Sequence, residues 1–207
     1  MSNNTIPPSE LYVMEQFYTI QGEGFYSGRA AYFIRLAGCD VGCVWCDVKE
    51  SWHSAESQLL EINKIVEKVV SSKANFVVVT GGEPLQQDLT ELTNQLTLNN
   101  IEIAIETSGT YPLNGKVDWY CFSPKKFKKP ISEAYELADE LKVVINHPSD
   151  FEWAETHAKN LKKPKAKLFL QPEWSKSDHF LPEIIDYVKV NPSWKISLQT
   201  HKFMDIP

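Results

Sequence analysis

The sequence predicts an α/β chain whose strands and helices alternate into a parallel sheet, curved as an incomplete, open βα barrel. Three observations carry this. Runs such as "FVVVT" (76–80) and "LKVVI" (141–145) are apolar throughout, as parallel strands buried on both faces are. Segments with helical spacing separate them. A closed eight-fold barrel needs about 250 residues, so the 207 here fit roughly six βα units and a barrel left open.

In chain order, two strand-like runs come first, "LYVMEQFYTI" (11–20) and "AAYFIRLAG" (30–38), joined by the glycine-rich "QGEGFYSGR". A cysteine loop follows. In "QLLEINKIVEKVV" (58–70), Leu59, Ile62, Val66, Val69 and Val70 recur at helical spacing before the strand at 76–80. Leu85, Leu89, Leu92 and Leu96 predict a second helix ahead of the strand "IEIAIET" (101–107), and "VDWYCF" (117–122) adds a strand without its own helix. "SEAYELADE" (132–140) precedes "LKVVI". "SDFEWAETHAKN" (149–160), with Ser149 and Glu152 spaced as a capping box, precedes "AKLFLQP" (166–172). "LPEIIDYVKV" (181–190) and "WKISLQT" (194–200) form the last pair. Polar residues return where strands end, in "TGGEP" (80–84), "ETSG" (106–109), "SPK" (123–125), "LQP" and "QTH" (199–201). In parallel sheets that edge carries the site.

Net charge is -6 and the pI about 5.4. Neither nucleic acid nor an anionic membrane suits such a chain, because both call for a basic face. No apolar run approaches the roughly 20 residues that span a bilayer. The start "MSNNTIPPSE" reads as a flexible tail over 1–10 without a secretory core. We therefore expect one cytoplasmic domain, 1–207.

The chemistry concentrates in "AGCDVGCVWCDVKESW" (37–52), which holds Cys39, Cys43 and Cys46. Such a cluster in a cytoplasmic chain points to metal or redox chemistry rather than a disulfide framework. Four thiolates saturate an iron–sulfur cluster. Three leave one iron open to an incoming ligand, as a catalytic zinc keeps one position free. Two other readings meet the spacing: a structural zinc completed by His53 or Cys121, and a dithiol redox pair of Cys43 and Cys46. Cys121, in an apolar strand, reads as a buried inert thiol. Trp52, His53 and Glu106 carry no assigned role.

The pattern Cys-x3-Cys-x2-Cys, with Trp45 before the last cysteine and "TGGEP" downstream, resembles the signature of radical S-adenosylmethionine (radical SAM) enzymes. The succession "TIQGEG", "GRAAYFIRLAGC", "CVWCD", "TGGEPL", "IETSGT", "SPK", "LQP" and "LQTHKFMDIP" is similar to the 7-carboxy-7-deazaguanine synthase family within that superfamily, from about residue 12 to the end. The resemblance implies the TIM-like open barrel of the radical SAM type. It implies a [4Fe-4S] cluster on Cys39, Cys43 and Cys46, and S-adenosylmethionine contacts at Trp45, Gly81, Gly82, Glu83, Ser123, Pro124, Lys125 and Gln171. Glycines there admit close backbone approach, and a carboxylate matches the methionine ammonium. The implied activity is a lyase converting 6-carboxy-5,6,7,8-tetrahydropterin to 7-carboxy-7-deazaguanine with loss of ammonia, in queuosine and 7-deazapurine biosynthesis.

Substrate contacts implied by the resemblance are Ile20, Gln21, Gly22, Glu23, Arg35, Thr80, His201 and the terminus at Pro207. Alternation along "AYFIRLAG" puts Arg35 on the face of Phe33; an arginine there serves equally as a structural ion-pair residue. A homodimer and an electron donor such as flavodoxin are implied too. Rival readings are a radical enzyme that activates a protein partner and a zinc-stabilised binding module without catalysis. The "QGEG" loop and "QTHKF" tail favour a small substrate. One position departs from the family. After the last cysteine the family reads Asp-Thr, whose hydroxyl helps hold Mg2+, whereas Asp47-Val48 stands here. Valine offers no side-chain oxygen to a metal that demands hard oxygen ligands: either water, backbone, substrate and Asp47 hold the ion instead, or magnesium dependence is reduced, and a weaker requirement than the family's is expected.

Overall fold

The computed structural model describes residues 9–55 and 58–207. Its strands are β1 Glu10–Ile20, β2 Ala30–Leu36, β3 Leu59–Glu61, β4 Phe76–Gly81, β5 Glu102–Thr107, β6 Trp119–Phe122, β7 Glu140–Ile145, β8 Lys167–Pro172 and β9 Trp194–Ile196. Its helices are α1 Ile62–Ser71, α2 Thr90–Leu98, α3 Ser132–Leu137, α4 Ser149–Asn160, α5 Ser177–Val190 and α6 Thr200–Met204. The described residues form one nine-stranded sheet in the order β3-β1-β2-β4-β5-β6-β7-β8-β9. From β2 through β9 each neighbour is parallel, while β1 pairs antiparallel with β2 and β3. β3 and β9 stand at opposite edges, so the barrel is open, as the chain length predicts.

Period-two alternation divides each strand between two environments. Val77 and Val79 of β4, and Ile103 and Ile105 of β5, share one core with Ile62, Ile65 and Val69 of α1, Leu92 and Leu96 of α2, and Phe180 and Ile184 of α5. The opposite face starts with a smaller cluster of Ala31, Phe76, Val78 and Ala104, against which Tyr26, Phe33 and Trp119 pack. Two residues further on, that same inner face carries Arg35, Thr80, Glu106 and Lys142. Register brings them side by side: Arg35 faces Thr80, Glu106 faces Cys121, and Val144 faces Gln171. The apolar cluster thus plugs one end of the curved sheet, and the polar residues open at the other.

Local details differ from the sequence expectation. Leu59 belongs to the short strand β3, opposite Tyr12, rather than to α1. Val70 is largely exposed. The second helical segment opens as a 3-10 turn at Pro84–Gln86 before α2, and α3 stops at Leu137, where β7 soon begins. The capping box of α4 does not form, because Pro148 is already helical and Ser149 is the first turn itself. Asp150 accepts instead from the backbone N–H groups of Asn146 (2.7 Å) and His147 (2.8 Å). The expected tail over 1–10 lies outside the described residues except for Ser9 and Glu10, and Glu10 already pairs with Glu61 in the sheet. Among the described residues no helix is long and apolar enough to cross a membrane.

Candidate active site

The cysteine loop leaves β2 through Gly38 and is pinned by its own backbone. Gly38 N–H donates to Ser51 O (2.7 Å), Cys39 N–H to Trp52 O (3.2 Å) and Cys46 N–H to Cys43 O (3.1 Å). The strand end of β4 then closes against it, with Gly82 N–H donating to Leu36 O (3.0 Å) and Glu83 N–H to Gly38 O (2.9 Å). Both glycines of "TGGEP" are required for this approach. Gly81 has φ of +133°, and a Cβ at Gly82 would meet Gly38 O at 2.2 Å and Cys39 Cβ at 2.8 Å.

Cys39, Cys43 and Cys46 are free thiols lining one cavity of about 260 Å³. Among the described residues no three His, Cys, Asp or Glu side chains converge on a single ion. A mononuclear zinc needs that convergence; thiolates on separate irons of one cluster do not. Burial pushes the Cys43 thiol up to about 11 and raises that of Cys39. These sulfurs therefore hold protons unless a metal replaces them. The donor set fits a cluster held by three thiolates, with cavity space at the remaining corner. His53 stands outside the lining of this cavity. Cys121 is buried on β6 with its thiol pushed well up by burial, the inert role expected of it.

Glu83 is 1% exposed, and its oxygens are engaged by the protein. They accept from Leu85 N (3.1 Å), Thr107 Oγ1 (2.5 Å), Ser108 N (2.8 Å) and Ser108 Oγ (2.5 Å). Four donors match the roughly four lone-pair sites of a carboxylate, so Glu83 ties the end of β4 to that of β5. Lys125 donates to Ser123 Oγ (2.5 Å), and its ammonium lies 5.4 Å from the Trp45 ring centroid. Gln171 accepts from Ser197 Oγ (2.7 Å), which in turn accepts from Gly24 N–H (2.9 Å), linking β8 to the first loop.

That first loop forms the opposite wall. Gln21 donates through Nε2 to Glu106 Oε1 (3.0 Å), and its Oε1 accepts from Glu23 N–H (3.0 Å). Lys142, 5% exposed, reaches Glu23 at 2.5 Å and Glu106 at 3.4 Å. Gln199 adds a hydrogen bond to Glu23 Oε1 (2.9 Å). Burial acts to raise the Glu23 pKa, but Lys142 and these hydrogen bonds outweigh it and hold the carboxyl at about 2. Arg35 donates through Nε to Glu15 Oε1 (2.7 Å), so the structural ion pair forms and the two terminal NH2 groups remain for other partners.

The C-terminal segment covers the cavity. Thr200 donates to Gly22 O through both N (2.9 Å) and Oγ1 (3.0 Å), and Thr19 Oγ1 donates to Pro207 O (3.2 Å). Burial lowers the His201 pKa. Lys202 pairs with Asp47 at 3.0 Å and stacks on Trp174 at 4.8 Å. Asp47 thus already meets a cation, and Val48 supplies no side-chain oxygen, so this pair does not fit a magnesium site.

Of the site residues read from the sequence, Ile20, Gln21, Gly22, Glu23, Arg35, Cys39, Cys43, Trp45, Cys46, Asp47, Val48, Thr80, Gly81, Gly82, Glu83, Ser123, Lys125, Gln171, His201 and Pro207 all line the same cavity. Pro124 faces a smaller groove with Phe127 and Trp153. Sequence reasoning missed Lys142 and Gln199 and left Glu106 and Trp52 without a role, though all four line the cavity. For Lys142 a signal existed: a lysine inside an otherwise apolar strand buried on both faces.

A thiol triad at the C-terminal edge of an open parallel barrel defines a radical SAM enzyme, and the family model of the Radical SAM superfamily matches residues 33–119. The 7-carboxy-7-deazaguanine synthase of Flavobacterium psychrophilum is 55% identical over 95% of this chain and 93% of its own. That of Synechocystis is 43% identical over 94% and 92%, and that of Escherichia coli K12 is 33% identical over 94% and 98%. The crystal structure of QueE from Escherichia coli superposes with a TM-score of 0.82, at 30% identity over 91% of this chain and 93% of that one. The chain belongs to the 7-carboxy-7-deazaguanine synthase family. With the family come a [4Fe-4S] cluster and S-adenosylmethionine.

Proposed function

We propose that this enzyme is a radical SAM lyase that converts 6-carboxy-5,6,7,8-tetrahydropterin to 7-carboxy-7-deazaguanine with loss of ammonia, a step of queuosine biosynthesis. The observation that carries the reading is one cavity holding three free thiols at one end and a polar, charged floor at the other. When bound, the cluster and S-adenosylmethionine supply one-electron reduction and a carbon-centred radical that abstracts hydrogen.

The chain's part is placement. Cys39, Cys43 and Cys46 hold the cluster, and Trp45, Gly81, Gly82, Glu83, Ser123, Lys125 and Gln171 shape the space beside it, with Glu83 bracing the strand ends that bear the glycines. Ile20, Gln21, Gly22 and Thr80 wall the pterin ring, while Glu23, ionised throughout the neutral range, accepts N–H groups of the aminopyrimidinone edge. Arg35 offers its free guanidinium NH2 groups to the substrate carboxylate. His201 and Pro207 close the cavity, which excludes water and bystander atoms from C6, the carbon that loses hydrogen.

A one-electron donor such as flavodoxin, a homodimeric assembly and a cytoplasmic setting complete the proposal. The Asp47–Lys202 pair supports turnover with little dependence on Mg2+. The test is anaerobic cluster reconstitution with an iron and sulfide count, then measurement of 5′-deoxyadenosine and 7-carboxy-7-deazaguanine with and without the pterin. Bound iron together with pterin-dependent product is expected. Zinc in place of iron, or S-adenosylmethionine cleavage without pterin conversion, overturns the reading.

A further inference from the structure

Lys142 lies at the centre of β7, on the inner face, with 5% of its side chain exposed. It stands between two carboxylates from different elements, Glu23 of the first loop at 2.5 Å and Glu106 of β5 at 3.4 Å. All three line the cavity. The two carboxylates outnumber the one ammonium between them, and all three side chains are largely buried. A floor of that sign takes a neutral ligand edge rich in N–H donors and rejects an anionic one.

We infer that Lys142 is a positioning residue for substrate: it clamps Glu23 and Glu106 so that both present acceptor oxygens to the N–H groups of a 2-amino-4-oxopyrimidine edge. The inference rests on the functional reading above. Stability does not account for the lysine. A buried ion pair adds little net stability over apolar packing, and the other residues of β7 are apolar apart from Glu140. The clamp explains its place. Gln21 and Gln199 hold the outward edges of the same two carboxylates, at 3.0 and 2.9 Å, so each carboxylate is fixed from two sides.

The charged and titratable groups facing this floor are few. Glu140 of β7 and Cys121 of β6 lie on the inner face below it, Lys125 follows β6, and His201 stands above it in α6. Burial keeps Cys121 protonated, raises the Glu140 carboxyl and lowers the His201 imidazole. None of these replaces Lys142 as the cation at Glu23. Without the lysine, burial drives the Glu23 carboxyl upward and its acceptor oxygen takes a proton.

The test uses cluster-loaded enzyme carrying Lys142→Met. KM for the carboxytetrahydropterin is expected to rise roughly 10- to 100-fold, with kcat changed less, as for a lost partner of a buried charge. KM of the variant should worsen further as pH falls from 8 toward 6, where the wild-type KM stays flat. In a Glu23→Gln background the same substitution should change KM clearly less than it does in the wild type, because the nearer of the two clamped carboxylates is gone. Lys142→Arg, which keeps the charge, should recover most of the loss. An iron count equal to wild type establishes that the variant folds. A Lys142→Met enzyme whose KM and pH profile superimpose on wild type, or an undiminished effect in the Glu23→Gln background, overturns the inference. If the wild-type enzyme fails to convert the pterin, the functional reading falls by itself. The clamp is then judged by infrared titration: a protonated-carboxyl band present in Lys142→Met and lost in the double variant supports it, and no such band refutes it.

Discussion

Gly22→Ala tests whether the C-terminal segment is a working wall of the site. Gly22 has an ordinary backbone conformation, so alanine brings no dihedral strain of its own. Its Cβ, however, would lie 2.2 Å from His201 Nδ1 and 2.8 Å from His201 N. The imidazole can swing away, but the backbone nitrogen cannot without α6 lifting. Lifting breaks the two hydrogen bonds from Thr200 to Gly22 O and the one from Gln199 to Glu23. At about 1 kcal/mol for each neutral bond and about 1.5 for the charged one, the docked segment loses roughly 3.5 kcal/mol. That raises the open fraction roughly 400-fold. Trypsin cleavage after Lys202, followed by intact mass, reads the opening directly, since slow cleavage tracks the open population. The KM for substrate should rise in parallel. Cleavage at the wild-type rate with unchanged KM would show that the segment packs elsewhere and refute the reasoning.

Removal of Pro207, which lines the cavity, should raise KM with little change in cluster content, and unaltered turnover of the shortened enzyme argues against a substrate-facing role for that residue. Because Asp47 already pairs with Lys202 and Val48 offers no oxygen, activity after chelation should persist across a magnesium titration; complete loss without the metal would contradict this. His157 is buried against Trp153 and accepts a hydrogen bond from Tyr135 (2.8 Å) in its neutral form, and burial depresses its pKa from 6.5 to about 4. The unfolded chain therefore takes up a proton between these values that the folded one does not. Its contribution is complete above pH 6.5 and is lost as pH falls toward 4, by about 1–2 kcal/mol after allowance for solvent screening. Urea unfolding at pH 7 and pH 4.5 should show this loss flattened in His157→Gln; an identical slope in the variant would rule it out.

The inner face of the barrel shows why part of the site was hidden from the sequence. Arg35 was placed correctly because alternation is local, and one neighbouring phenylalanine sets the face. Glu106 obeys the same rule on β5, but its meaning depends on Lys142 two strands away and on Gln21 in the first loop. The capping box at Ser149 failed for a related reason. Spacing specified a helix start, while the turn around Asn146 and His147 chose Asp150 as the cap. Glu83 was legible as part of "TGGEP", but not as the strut that Thr107 and Ser108 make of it.

By itself, the sequence determined the order of strands and helices, the open barrel and the thiol triad, because periodicity, length and close spacing are properties of neighbouring residues. Only the tertiary structure decided that Lys142 would join two glutamates, that Lys202 would meet Asp47, and that the last residues would roof the cavity. Each of those contacts unites residues more than 35 positions apart, and only folding brings such charges close enough to set one another's ionisation and direction.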